Sequence, residues 1–302
     1  MSVSVTFLGT GGSVPNKFRN LPSVLVRRGP ELLLFDCGEG TQRQFLYARA
    51  GINRKMRIFI SHLHGDHVFG LPGMIHSLSF MGRTRELEIV GPKGIAKLVT
   101  SVNNVVKLYS HFPIRIYEAK PGFKIRDPEY TVRVASAKHG IPCLAYAFEE
   151  KPRPGRFDPA KARRLGVPEG PLWKKLQSGR SIKLGRRRLA PRLVVGPPRR
   201  GVKITYAVDT RPCPQVIKLA RRSDLLIHDS CFDQSASTRA REYGHSTAAE
   251  AARVAKKSKS RKLALFHISA MYEDANPLLR QAKAIFPDTI LPQDMATVSV
   301  VV

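Results

Sequence analysis

Acidic residues are scarce in this 302-residue chain: 23 Asp+Glu stand against 51 Lys+Arg, a formal charge of +28. Such an excess says nothing about fold, but it argues for a polyanionic partner such as RNA, DNA or an anionic membrane. A thermophile-style surface bias is the competing explanation. Cysteine is scarce too. Cys37, Cys143, Cys213 and Cys231 lie singly, with no C-x-x-C pair, which argues against a disulfide framework or a cysteine-based zinc site and fits a reducing compartment. No apolar run approaches the roughly 18 residues of a membrane span. The start "MSVSVTFLGTGGSVP" lacks the basic segment and long apolar core of a signal peptide. A soluble, cytoplasmic protein without membrane association is therefore expected.

Hydrophobic content is ordinary at 42%, and the length suits one α/β domain with an insertion. Short β-rich runs separated by Gly/Pro turns begin the chain at 3–9, 23–28 and 31–38, and a helical segment follows at about 39–50. Strands are expected at 57–62 and 86–91, an amphipathic helix at about 93–108, then strands at 114–119, 130–139 and 143–150. Composition shifts next. Residues 151–200 hold sixteen Lys+Arg and only two acids, Asp158 and Glu169, a net +14 and half the chain's excess. Rich in Pro and Gly and poor in apolar periodicity, this segment is expected to build little core and to project as an arm. Order then returns, with strands at 201–210, 224–230, 262–269 and 297–302 and helices at 212–222, 246–258 and 277–286. Strands and helices in both halves suggest two packed sheets with helices outside.

The densest chemistry lies in "FISHLHGDHVFG", residues 59–70. His62, His64, Asp66 and His67 follow an apolar strand, and Gly65 lets the chain turn tightly. Imidazole and carboxylate are good ligands for Zn²⁺, and for Mn²⁺ or Fe²⁺ with less preference. Four such groups within six residues, in a chain with nine histidines, are not an ordinary surface loop. One turn cannot complete two coordination spheres, so further ligands must come from other strand ends. His139, Asp209 and His267 each occupy that position. Alone, each would be read as a core or rim histidine or a capping aspartate; their shared placement links them. His76, His111 and His228 are read as structural or as supporting neighbours of the ligands.

H-x-H-x-D-H with a later His, Asp and His resembles the metallo-β-lactamase superfamily. Within it the chain is most similar to the tRNase Z family of tRNA 3′-processing endoribonucleases, in the short form. "FLGTGGSVP", "PNKFRN", "FDCGEGTQRQ", "AVDTRP", "GHST" and, in the basic segment, "GVPEGP" carry the likeness. The resemblance implies an α/β (α+β, four-layer) αββα sandwich formed by 1–150 and 191–302. It also implies that 151–190 is an inserted, flexible, basic arm serving as a tRNA-binding exosite. His62, His64 and His139 would bind one Zn²⁺, Asp66, His67 and His267 a second, with Asp209 bridging; Mn²⁺ or another divalent ion is the alternative.

The implied reaction is removal of the 3′ trailer of precursor tRNA by hydrolysis 3′ of the discriminator nucleotide. The tRNA would keep a 3′-hydroxyl and the trailer a 5′-phosphate. A pair of cations acidifies water and neutralises phosphate charge. Asp66 would also orient or deprotonate that water, and His245 is the candidate acid for the leaving 3′-oxygen. The family commonly carries His-Glu-Ala-Thr where this chain reads His228-Asp229-Ser230-Cys231. The shorter Asp229 is expected to hold His245 less well and is left out of the catalytic set. Lys17 and Arg19 are expected to clamp a phosphate near the cut, and Gly166, Pro168, Gly170 and Pro171 to contact tRNA. Trp173 is expected to pack the arm's tip rather than stack on a base. A homodimer is implied in which one subunit's arm presents tRNA to the other's metals. The competing functions are a small-molecule hydrolase of the same fold, which has no use for a +14 arm, and a metal-free RNA-binding module.

Overall fold

A computed structural model describes residues 3–107 and 110–301. They form two compact units. The larger comprises the chain up to 127, 131–149 and 202–301, and the smaller 128–130 and 150–201.

Two seven-stranded sheets make the larger unit. The first runs Thr297–Val300, Val3–Gly9, Ser23–Arg28, Glu31–Phe35, Lys55–Phe59, Leu87–Gly91 and Ile114–Glu118 in spatial order. The second runs Thr289–Ile290, Leu263–Phe266, Leu225–Asp229, Lys203–Ala207, Leu144–Glu150, Tyr130–Ser136 and Lys124–Arg126. In Val3–Gly9 the alternate residues Val3, Val5 and Phe7 are buried, the period of a strand with one face inward. Glu31–Phe35, Lys203–Ala207 and Leu225–Asp229, each paired in parallel on at least one side, are buried throughout, as strands covered on both faces must be. Aromatic rings fill the space between the sheets. Phe35 and Phe59 stack at 5.0 Å, Phe59 meets Tyr146 at 5.3 Å, and Phe35 meets Tyr206 at 5.5 Å.

Helices cover both outer faces. Thr41–Tyr47, Gly70–Phe80 and Ile95–Val105 pack Phe45, Leu71, Met74, Ile75 and Val99 on the first sheet. Pro214–Leu219, Ala248–Ser258 and Asn276–Lys283 close the second, where small alanines let the long helix lie near the strands. The expected αββα sandwich is therefore the observed one.

Several boundaries differ from expectation. The strand placed at 57–62 ends at Phe59, and the strand at 262–269 breaks at His267, which adopts a left-handed φ of 59°. Both interruptions lie at or just before expected ligand positions, where the backbone leaves the sheet. Helix Gly70–Phe80 was not anticipated, because the ligand cluster obscures the 3–4 spacing of Leu71, Met74, Ile75 and Leu78. The helix expected at about 93–108 spans Ile95–Val105, and position 108, like 302 in the last strand, lies outside the described residues.

The smaller unit differs most from expectation. It is not a coreless arm: Ala162, Val167, Leu176, Ile182, Leu189 and Val194 are buried together. Helix Pro159–Arg164 is capped by Asp158, which accepts from the Lys161 N–H at 3.0 Å; helix Pro171–Gln177 and a hairpin of Ile182–Leu184 with Arg187–Leu189 follow. Each short element contributes one to three apolar residues, too few for a periodicity to show in sequence. Trp173 packs on Phe157 at 5.0 Å and donates its indole N–H to the Val167 carbonyl at 3.1 Å, a packing role. All sixteen basic side chains except that of Arg153 are exposed.

Candidate metal centre

The sheets place the chemistry through their parallel strands. Phe35 pairs with Phe59, Ala207 with His228 and Asp229 with Phe266, so the residues just beyond these strands converge at one edge of the sandwich. Asp36, Asp209 and His267 there have φ values of 55°, 47° and 59°, and Ser13 beside them has 66°. Non-glycine residues rarely hold such angles, and a cluster of four marks a functional edge maintained by its surroundings.

All seven expected ligands meet at this edge, in two groups. His62, His64, His139 and Asp209 offer ligand atoms within 4.8 Å of one another, and so do Asp66, His67 and His267. Asp209 spans the pair. Its Oδ2 lies 3.5 Å from His62 Nε2 and 3.8 Å from His139 Nε2, while its Oδ1 lies 3.3 Å from His67 Nε2 and 3.1 Å from His267 Nε2. Asp66 Oδ2 lies 3.3 Å from both His67 Nε2 and His267 Nε2.

The donor set fits a pair of divalent cations. His67 Nε2 and Asp209 Oδ1 are buried without a hydrogen-bond partner although they face each other, the state of ligand atoms converging on a shared point. Burial pushes His62 well below the ordinary histidine range, with nearby His67 adding to the shift, which keeps the ring neutral as a ligand must be. Burial acts the same way on His67, but Asp209 and Asp36 outweigh it and raise that group well above its usual value. For Asp209, burial works upward, yet His267, His67 and His62 hold the carboxyl well below the carboxylate range. The centre therefore demands positive charge, which a cation supplies.

A supporting shell fixes these rings. Asp36 Oδ2 lies 2.7 Å from His67 Nδ1 and accepts from the Tyr206 hydroxyl at 2.8 Å and the Ser61 hydroxyl at 2.8 Å. This carboxylate–histidine pairing commits Nδ1 and turns Nε2 toward the cluster. The Ser13 N–H donates to Asp66 Oδ2 at 2.9 Å. Gly12 lets His267 close in, since a Cβ there would stand 2.3 Å from its ring.

His245 borders the same centre, its ring stacked 5.1 Å from His267 and tilted 5.2 Å from His139. Its Nδ1 lies 2.8 Å from Asp229 Oδ2. Asp229 was expected to hold His245 less well than a glutamate, yet this distance is that of an ordinary hydrogen bond, because the acid ends its own strand beside the histidine. The Thr210 N–H, at 2.9 Å, and the Cys231 N–H, at 3.0 Å, fix Asp229. Burial alone would lower His245, but Asp229 outweighs it and the imidazole rises to about 9. His228 is buried with Nδ1 on the Asp229 carbonyl, and His76 packs on Phe80, both structural placements.

In front of the centre lies a cleft of about 640 Å³ bordered by Ser13, His64, Asp66, His139, Arg239 and Tyr243. Neither residue of the expected phosphate clamp is among its lining residues. Arg19 turns inward instead, donating to the Thr10 hydroxyl at 2.6 Å and the Pro292 carbonyl at 3.0 Å, whereas Lys17 is exposed beside Phe18. In the smaller unit, Gly166 and Gly170 have φ values of 74° and 118°, angles that favour glycine, and Pro171 opens a helix. Sequence reasoning missed Asp36 and passed over Asp229. Each is an aspartate directly after or ending an apolar strand, the same signal that located Asp209.

Two sheets between helix layers, with a histidine–aspartate cluster at the strand ends, define the metallo-β-lactamase fold. A Bacillus subtilis protein of that fold superposes with a TM-score of 0.70 at 17% identity, covering 99% of each chain. The chain belongs to the ribonuclease Z family. It is 45% identical to the ribonuclease Z of Methanothermobacter thermautotrophicus, over 99% of this chain and 97% of that one. It is 44% identical to that of Methanosarcina acetivorans, over 96% of both. The crystal structure of human tRNase Z, short form, is similar with a TM-score of 0.70 at 26% identity, covering 99% of this chain and 100% of that one. A family model described as anti-Pycsar protein Apyc1 matches residues 3–116, well under half of the chain. Among the described residues, no helix is long and apolar enough to cross a membrane.

Proposed function

We infer that the chain is a metal-dependent endoribonuclease that removes the 3′ trailer of precursor tRNA. It cuts 3′ of the discriminator nucleotide and leaves a tRNA 3′-hydroxyl and a trailer 5′-phosphate. The observation that carries this is the meeting of two ligand groups across Asp209, open to a cleft, in a chain of the ribonuclease Z family. Five histidines and two aspartates suit Zn²⁺ best and Mn²⁺ next.

When bound, the cations supply Lewis acidity and a water acidified toward neutral pH. Asp66, whose Oδ2 accepts from the Ser13 N–H, would help hold the cations and would orient or deprotonate that water. His245 carries a proton at neutral pH, and with Nδ1 committed to Asp229 it has Nε2 left to serve the leaving 3′-oxygen. As the P–O3′ bond breaks, the proton on Nε2 passes to that oxygen, and the water oxygen stays with the trailer phosphate.

The exposed cations of 151–190 supply sequence-independent grip on the tRNA backbone, with Gly166, Pro168, Gly170 and Pro171 shaping the turn that meets it. Lys17, exposed and outside the cleft lining, is the remaining candidate for a phosphate contact. Leu46, Tyr47 and Phe80 expose apolar surface on the helices over the first sheet, which supports a homodimer. Four free cysteines suit a reducing cytoplasm.

The test is incubation with a precursor tRNA bearing a 3′ trailer, with and without chelator, and mapping of both product ends. Metal-dependent cleavage giving a 3′-hydroxyl after the discriminator supports the reading; an intact precursor, or a cut elsewhere, overturns it.

A further inference from the structure

One wall of the cleft is built by helix Ser237–Glu242. Arg239 and Tyr243 are four residues apart at its end, so their side chains share a face. The Arg239 guanidinium carbon stands 5.7 Å from the Tyr243 ring centroid and 5.7 Å from that of Phe232. Phe232 is the anchor: it is buried, and its carbonyl accepts from the Ala248 N–H at 2.9 Å. The two rings hold the guanidinium in place; its Nη1 donates to Met271 Sδ, a weak acceptor, at 3.9 Å, and its remaining N–H groups are left for a stronger one. Among the described residues no carboxylate lies within ion-pair reach of Arg239, and it is the single Arg or Lys lining the cleft. Tyr243 is 59% exposed although it lines a cavity, so one face of its ring awaits a partner.

We propose that Arg239 and Tyr243 form a nucleotide subsite on the leaving-group side of the cut. Tyr243 stacks on the base of the last retained nucleotide, and Arg239 binds the phosphate 5′ of that nucleotide. The assignment rests on the endonuclease reading. His245 and Tyr243 line the same wall two residues apart, and in that reading the 3′-oxygen of the last retained nucleotide reaches this wall beside His245. The nucleoside carrying that oxygen therefore lies beside Tyr243. Stacking is indifferent to base identity, so the subsite positions any nucleotide without selecting one.

The test compares the wild type with Arg239→Ala, Tyr243→Ala and Tyr243→Phe on a trailer-bearing precursor tRNA. Two further substrates are abasic at the last retained or at the first trailer position. Tyr243→Ala is expected to raise KM about tenfold, and Tyr243→Phe to restore it. The Tyr243→Ala effect vanishes when the last retained base is missing and persists when the first trailer base is missing. Arg239→Ala raises KM and reduces the slope of log KM against log salt by about one. Metal content stays at the wild-type ratio in all three variants. Equal KM for wild type and Tyr243→Ala, an effect lost only with the trailer base, or loss of metal would each overturn the subsite. If the wild type itself leaves every precursor intact, the endonuclease reading fails instead.

Discussion

Asp36 touches none of the cleft, yet the orientation of His67 depends on it. Its buried carboxylate gathers the Tyr206 hydroxyl, the Ser61 hydroxyl and His67 Nδ1. Asp36→Asn is therefore expected to weaken metal affinity by about 10–100-fold, measured by competition with a fluorescent chelator. His245 sits one step nearer the chemistry. His245→Ala should slow turnover by about 10²–10⁴-fold while the bound metal stays at the wild-type ratio; a metal-depleted variant would reassign His245 to the scaffold. The clustering of the seven candidate ligands was legible because four crowd one turn and the other three share a place at strand ends. Asp36 was not legible. Its partners lie at 61, 67 and 206, and only the packed sheets bring them together. Asp229 was underrated because side-chain length was weighed without knowing that its strand ends beside His245.

Elements succeed at this edge by breaking their own regularity. Strand Leu263–Phe266 stops, His267 takes a positive φ, and Ile268–Ser269 then pairs in parallel with Gly11–Gly12. That pairing seats His267 against Gly12, where a methyl group would stand 2.3 Å from the ring. Gly12→Ala should cost about 1–3 kcal/mol of stability through overpacking and loosen the metal group containing His267. Thermal unfolding with and without added Zn²⁺ checks both: the increment that Zn²⁺ adds to Tm should shrink. Hydrophobic pattern announced most strands, since Val3–Gly9 opens with alternation and Ser23–Arg28 and Leu225–Asp229 each hold three consecutive apolar residues. It misplaced their ends, because the residues that leave the sheet are chosen for ligation and carry no turn signature. Helix Gly70–Phe80 was hidden for the same reason, starting directly behind the histidines.

At the scale of the whole molecule, the charge is segregated. Half of the +28 excess sits in 151–200, almost all of it exposed around a small apolar core. The basic segment was plain from composition; its core was not, because Ala162, Val167, Leu176, Ile182, Leu189 and Val194 follow no helix or strand period. Deleting 155–185 should lower turnover of precursor tRNA relative to that of bis(p-nitrophenyl) phosphate. It should also flatten the slope of log K against log salt for tRNA binding, by about 0.7–0.9 for every phosphate that the deleted cations neutralise. A small-molecule hydrolase would show neither change. The central claim is that two groups of side chains joined by Asp209 hold a pair of cations, and anomalous diffraction from crystals grown with Zn²⁺ tests it most directly. The account predicts two anomalous peaks per chain, one among His62, His64 and His139 and one among Asp66, His67 and His267, with Asp209 touching both. A single peak, or peaks away from these residues, would contradict it.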